Sequence, residues 1–153
     1  MFKRISLLIL VLASLVGCGG GDSDSGAMVQ PTLPGTNVPA SFAGTYRGTL
    51  TITASALTLS ETDTFDITVT VTQDAMVRFD GDDPDETFTV GLANDGSFAG
   101  NFTVNEDECT GSLATTGRVD GTTASGDVSG EGRCDISGIQ ADVTLTGTFT
   151  ATK

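Results

Sequence analysis

From residue 42 onward, apolar residues and threonines alternate one for one along several stretches of the chain. Tyr46, Gly48, Leu50 and Ile52 share one parity; Thr45, Arg47, Thr49, Thr51 and Thr53 share the other. Phe65, Ile67, Val69 and Val71 oppose Thr64, Asp66, Thr68, Thr70 and Thr72 in the same way. Near the C-terminus, Ile139, Ala141, Val143, Leu145, Gly147, Phe149 and Ala151 oppose Gln140, Asp142, Thr144, Thr146, Thr148 and Thr150. Successive side chains of a strand point to opposite faces, so this period sorts them into a dry face and a wet one. Half-buried antiparallel strands are the expected outcome. Frequent Thr and Gly and sparse helix formers agree with that reading.

Eight strands are predicted, at 44–53, 63–72, 75–80, 86–93, 97–104, 109–119, 124–134 and 139–151. Every connection is short enough to join antiparallel neighbours. The expected fold is all-β: an eight-stranded antiparallel up-and-down meander, closed or nearly closed into a small barrel, which removes exposed edges. A β-sandwich is the alternative. The immunoglobulin type is disfavoured, because Trp is absent and Cys109 and Cys134 are too close in sequence to bridge two sheets. The strands are also too short, and too polar outside, for a membrane barrel with a lipid-facing apolar band.

Turn chemistry sets two registers. Asn94-Asp95-Gly96 suits a three-residue loop with Gly in the left-handed position. It pairs Leu92 with Phe98, Val90 with Gly100 and Phe88 with Phe102, all on one face. A four-residue loop, Asp120 to Thr123, sets Val119 opposite Ala124 and Gly117 opposite Gly126. Continued, it sets Cys109 opposite Cys134, where a cross-strand disulfide can form. A two-residue Asp-Gly turn would leave the cysteines out of register. A redox-active pair would have the closer C-x-x-C spacing. On the cysteine parity lie Gly111, Gly117, Gly126, Gly130 and Gly132. Bulky groups are expected over them, with Phe88, Phe98 and Phe102 as candidates. Two readings follow: a narrow barrel filled by alternating small and large residues, or the floor of a cavity for an apolar ligand.

The N-terminus carries an address. Lys3 and Arg4 precede an apolar run from Ile5 to Val16, too short for a spanning helix of about 20 residues but suited to a secretory signal peptide. The run ends Leu15-Val16-Gly17-Cys18. This resembles a bacterial lipobox. The resemblance implies cleavage after residue 17, diacylglycerol on the Cys18 thiol and acylation of the new N-terminus. Several acyl chains make a stable membrane anchor where one is marginal. In Gram-negative lipoproteins an Asp after the Cys favours the inner membrane. Gly19 stands here, so the resemblance implies the outer membrane. The three cysteines then divide into one for lipid and two for a bridge in an oxidising compartment.

Residues 18–41 are expected to be the lipidated Cys and a disordered tether. Gly19 to Gly26 is small and polar, Pro31, Pro34 and Pro39 follow, and no apolar period is present. The domain is expected to span 42–153. Its opening, Gly44-Thr45-Tyr46-Arg47-Gly48, resembles the Gly-x-Trp start of lipocalin-like barrels, with Tyr in place of Trp. The resemblance covers one strand and carries no binding residue across.

Charge narrows function further. The chain has 7 basic and 20 acidic residues and a net charge of −13. Removing residues 1–17 takes away Lys3 and Arg4 and no acid, so the exported chain is more acidic still. Nucleic-acid binding is excluded on that balance, since affinity for phosphate backbones rests on cations. With no His, neither Ser–His nor Cys–His nucleophiles nor His-ligated zinc can be built. The acids concentrate in two runs. In the first, Asp80, Asp82, Asp83 and Asp85 are the candidate ligands for Ca2+, which takes six to eight oxygens. Pro84 stands where an EF-hand has its third ligand, so any such site is not an EF-hand. The second run is Asn105-Glu106-Asp107-Glu108, expected at the opposite end of the central hairpin pair or nearly so. Glycoside hydrolysis would need two acids across a cleft, one in an apolar setting. Nearly all acids here are expected in loops or on outward parity. Asn101-Phe102-Thr103 matches a glycosylation sequon and is read as chance in a bacterial lipoprotein.

The expected function is that of a membrane-anchored, non-catalytic envelope lipoprotein, with no cofactor beyond its covalent lipid. Its role would be structural or in contact with an envelope protein. The alternative is a binding module with a small apolar ligand in the barrel mouth; an enzyme comes third.

Overall fold

The computed structural model describes residues 29–80, 87–105, 109–136 and 139–153. The signal peptide, Cys18 and residues 19–28 lie outside them. Eight antiparallel strands follow one another: β1 Gly44–Ala56, β2 Leu59–Val71, β3 Met76–Asp80, β4 Thr87–Gly91, β5 Ser97–Asn105, β6 Cys109–Val119, β7 Thr123–Ile136 and β8 Ile139–Thr152. They form one sheet in the order β4-β3-β2-β1-β8-β7-β6-β5. The fold is an up-and-down, nearly closed barrel, as the alternation predicts. First and last strands pair along most of their length, from Arg47↔Thr152 to Ala56↔Val143. We call the end where β1, β3, β5 and β7 finish the upper end.

The dry parity fills the interior. Tyr46, Val69, Val77, Leu92, Phe98 and Val119 are fully buried there. Phe79, Phe88, Phe98, Phe102 and Phe149 meet ring to ring, with Phe79–Phe88 centroids 4.4 Å apart and Phe79–Phe149 edge-on at 5.4 Å. Such rings combine area burial with favourable edge and offset geometry. Outside, the wet parity forms cross-strand hydroxyl pairs: Thr51–Thr64 at 3.0 Å, Thr53–Thr62 at 2.7 Å and Ser55–Ser60 at 3.0 Å. These are pairs of the kind that stabilise sheets.

Both register expectations at the Gly-containing turns meet the structure, one of them only in part. Val119 faces Ala124, Gly117 faces Gly126 and Cys109 faces Cys134. Asp120 accepts the backbone N–H groups of Thr122 and Thr123, at 2.9 and 2.8 Å, which fixes the turn. At the other turn, Gly96 takes φ +84°, the left-handed region open to glycine. Leu92 and Phe98 bridge as expected, but the ladder stops there. The predicted Val90–Gly100 and Phe88–Phe102 backbone pairs do not form. Their side chains still meet, the Phe88 and Phe102 rings at 4.1 Å, while the backbones separate into a seam.

The N-terminal segment occupies that seam. Residues expected to continue a disordered tether run instead as a strap against the barrel. Thr32 N–H donates to the Ala99 carbonyl (3.0 Å), and Gly35 N–H to the Leu92 carbonyl (2.7 Å). Asn37 N–H donates to the Asn94 side chain (3.0 Å), and the Asn101 amide donates to the Val29 carbonyl. The reason is backbone accounting. Two strands that diverge leave polar groups without partners, and the strap supplies them. Gly91 has to be glycine for this contact: a Cβ there would stand 2.2 Å from the Thr32 carbonyl oxygen. The strap then turns into a 3-10 helix, Ala40–Phe42, across the lower end. Phe42 packs over Gly96 and Gly121. Tyr46 donates its hydroxyl to the Phe42 carbonyl (2.7 Å), and Lys153 Nζ donates to the carbonyls of Ser41 (2.8 Å) and Ala43 (2.6 Å).

The β1–β2 hairpin is longer than predicted. Its strands continue to Ala56 and from Leu59, joined by the two-residue turn Leu57-Thr58. Neither residue is a turn former, which is why the sequence reads as a wider gap. Leu57 takes φ +57°. A bulky residue in this region costs about 1–2 kcal/mol.

Candidate functional site

The cysteine pair sits where β6 begins and β7 nears its end. The two residues are directly opposed, and their sulfurs lie 2.07 Å apart, at disulfide distance. Both are buried beside Ala56 and Val143. Next to them Gly111, Leu113, Gly132 and Leu145 line a hollow of about 20 Å3. That is room for one water molecule, against the 300–1,000 Å3 of small-molecule sites. The glycine face is covered much as expected, though by partly different side chains. Phe98 lies over Gly117, Phe149 over Gly126 and Leu113 over Gly130. Gly111 and Gly132 face each other closely across the ladder, and neither Phe88 nor Phe102 lies over them.

Of the candidate calcium ligands, only Asp80 is among the described residues. Its Oδ1 accepts from Arg78 Nε at 2.7 Å, pairs with the other guanidinium nitrogen at 2.7 Å and accepts from the Thr87 hydroxyl at 3.1 Å. An oxygen so engaged is poorly placed to serve a cation. Asp82, Asp83 and Asp85 lie outside the described residues, as do Glu106, Asp107 and Glu108. Among the described residues no three His, Cys, Asp or Glu side chains come together to hold a metal. The strand order corrects one expectation. Asp80 and Thr87 flank the first acidic run, and Asn105 and Cys109 flank the second, all at the upper end. Alternate connections in a meander fall at the same end, so the residues that flank the two runs share one end where opposite ends were expected.

Two acids escaped the sequence reading. The longer hairpin places Asp63 opposite Ile52 and Glu61 opposite Ala54, on the inward parity of β2. β3 ends at Asp80, opposite Thr68, so this upper part of β2 lies beyond it and Glu61 is exposed. Asp63 already stood at the start of the predicted strand on the Phe65 parity, and Glu61 joins it once the strand is begun at Leu59. The family-model and curated-protein comparisons give no match for this chain. Its chemistry must therefore be argued from geometry alone.

The buried titratable group is Tyr46. Desolvation raises its pKa first, and the carboxylate of Asp120 raises it further. The Lys153 ammonium stands over its ring, 5.5 Å from the centroid. Asp120 is held below the usual carboxylate range by the Thr122 and Thr123 backbone N–H groups, and Asp95 by the Ser97 hydroxyl and N–H. These are turn-fixing interactions at the lower end. The outer wall also carries a broad open trough of about 450 Å3, lined by Thr51, Thr53, Thr146, Thr148, Ser129 and Asp127. Its lining is hydroxyl-rich and carries no aromatic ring.

Proposed function

We propose that the chain is a lipid-anchored, non-catalytic lipoprotein of the bacterial envelope, placed at the outer membrane, whose barrel has a structural or protein-contacting role. The observation that carries the reading is the N-terminal run of Lys3-Arg4, the apolar stretch to Val16 and Cys18 after Leu15-Val16-Gly17. The hollow beside the cysteines, with room for one water molecule, offers no space for a drug-sized ligand and so favours this reading over a ligand carrier. A cysteine pair at disulfide distance suits an exported domain. The acid-rich surface of the mature chain keeps it soluble beside a membrane and away from nucleic acid.

The test is Cys18→Ala in the intact precursor. The variant is expected to fold, to incorporate no labelled acyl chain and to move from the membrane fraction to the soluble one. Wild-type protein that carries no lipid, with a fractionation that the substitution leaves unchanged, would refute the reading. Cross-linking in intact cells then identifies what the domain touches.

A further inference from the structure

Among the described residues three large apolar side chains are exposed: Leu33 at 82%, Leu57 at 71% and Leu59 at 71%. Scattered surface leucines are ordinary. Leu57 and Leu59 differ because they flank one tight turn, and because Leu57 is held at φ +57°. Among the described non-glycine residues only Ala75 shares a positive φ. A two-residue hairpin with its first residue in this region is the place where glycine folds best. Leucine is therefore present in spite of the turn, with its side chain in solvent. Such a residue points to something outside the barrel.

The path of the strap indicates what that is. From Gly35 back to Val29 it runs antiparallel to β5, from the Leu92 carbonyl past Ala99 to Asn101. Its Val29 end thus points toward the upper end, where β5 finishes and β1 turns into β2. Val29 lies eleven residue steps from Cys18, a span of at most about 36–40 Å. The lower end, in contrast, is closed by Phe42 and the C-terminal Lys153. The strap therefore leaves the barrel in the direction of the end that carries the Leu57–Leu59 turn.

We propose that this turn inserts into the bilayer that holds the Cys18 lipid, seating the upper end of the barrel against the membrane. The proposal rests on the lipoprotein reading. The surface it meets is zwitterionic, because a chain this acidic is repelled by anionic headgroups. The insertion is shallow: two leucines at the acyl boundary, with Thr58 and Ser60 at headgroup level. It fixes the orientation of the domain by a second point of attachment besides the lipid.

The chain lacks Trp, so a single introduced Trp is a clean reporter. Lipidated mature protein carrying Leu57→Trp is reconstituted into phosphatidylcholine vesicles with brominated acyl chains. Gln73→Trp, in the exposed turn at the lower end, is the control. The Leu57→Trp emission is expected to shift to the blue and lose intensity, and that of Gln73→Trp to do neither. Leu57→Gly is expected to hold or raise the melting temperature; in that background Leu59→Trp should lose its quenching. Leu57→Trp protein that floats with the vesicles but is not quenched overturns the proposal and leaves the lipoprotein reading standing. Protein that does not float at all fails the lipoprotein reading, and the proposal with it. A blue shift without vesicles that grows with protein concentration assigns the turn to a second copy and overturns the membrane assignment.

Discussion

Tyr46 shows how much one side chain can hold. It is the single tyrosine, it is fully buried, and its hydroxyl reaches the carbonyl of Phe42 at the lower end of the barrel. Its folded pKa is raised, so the folded state keeps the proton while the unfolded state releases it near pH 10. The associated stability is complete below about pH 10 and lost as pH rises through the folded value. Alkaline unfolding followed by circular dichroism should therefore track the tyrosine difference spectrum, and Tyr46→Phe should remove that limb of the pH profile. The cysteines act by constraint. Their bond closes a loop with a sequence separation of 25. Cys109→Ser should lower stability by about 3–3.5 kcal/mol in the chain-entropy account. An unchanged denaturation midpoint under non-reducing conditions would count against a native bridge.

Among the elements, the strap is the one whose placement the sequence conceals. The β6–β7 register could be read in advance because Asp120-Gly121 has turn chemistry and because glycines and cysteines keep parity through Cys134. The β1–β2 turn could not, because Leu57-Thr58 carries no turn signal and the backbone bears the strain. Residues 29–37 have no apolar period, and they dock through backbone hydrogen bonds, which any composition can make. Their traces in the sequence are two glycines, Gly35 and Gly91, which look like ordinary loop and strand residues until the approach of Thr32 is known. Of the candidate site residues, the cysteine pair is legible through register, while Cys18 rests on the resemblance alone and lies outside the described residues. Asp80 misleads: Arg78, two residues back on the same face of β3, could be read beside it, but Thr87 becomes its partner only when β3 and β4 are aligned. Gly91→Ala should expel the strap and leave the barrel folded. Limited proteolysis should then cut between residues 29 and 37 faster than in the wild type. Equal cleavage rates would show that the strap contributes no protection.

At the scale of the molecule, the barrel is two four-stranded halves, β1–β4 and β5–β8. They meet along β1–β8 on one side and at the Leu92–Phe98 bridge and the strap on the other. The five-phenylalanine cluster draws from both halves, so neither half has a complete core. Deleting residues 139–153 should abolish folding, because β8 is the partner of both β1 and β7. Loss of β-sheet circular dichroism and of the cooperative melt is the expected result. A folded remnant would mean that one half is autonomous.

The pairing of the first strand with the last also sets a clock. A chain that emerges N-terminus first, as every chain does in synthesis, can form its local hairpins in turn. The two halves cannot be joined until the fourteen residues of β8 have arrived. Contacts of such long sequence separation are slow to form. Through that interval the phenylalanines are open to the surroundings, while the β6–β7 hairpin already sets Cys109 opposite Cys134, so the bridge can close before the barrel shuts.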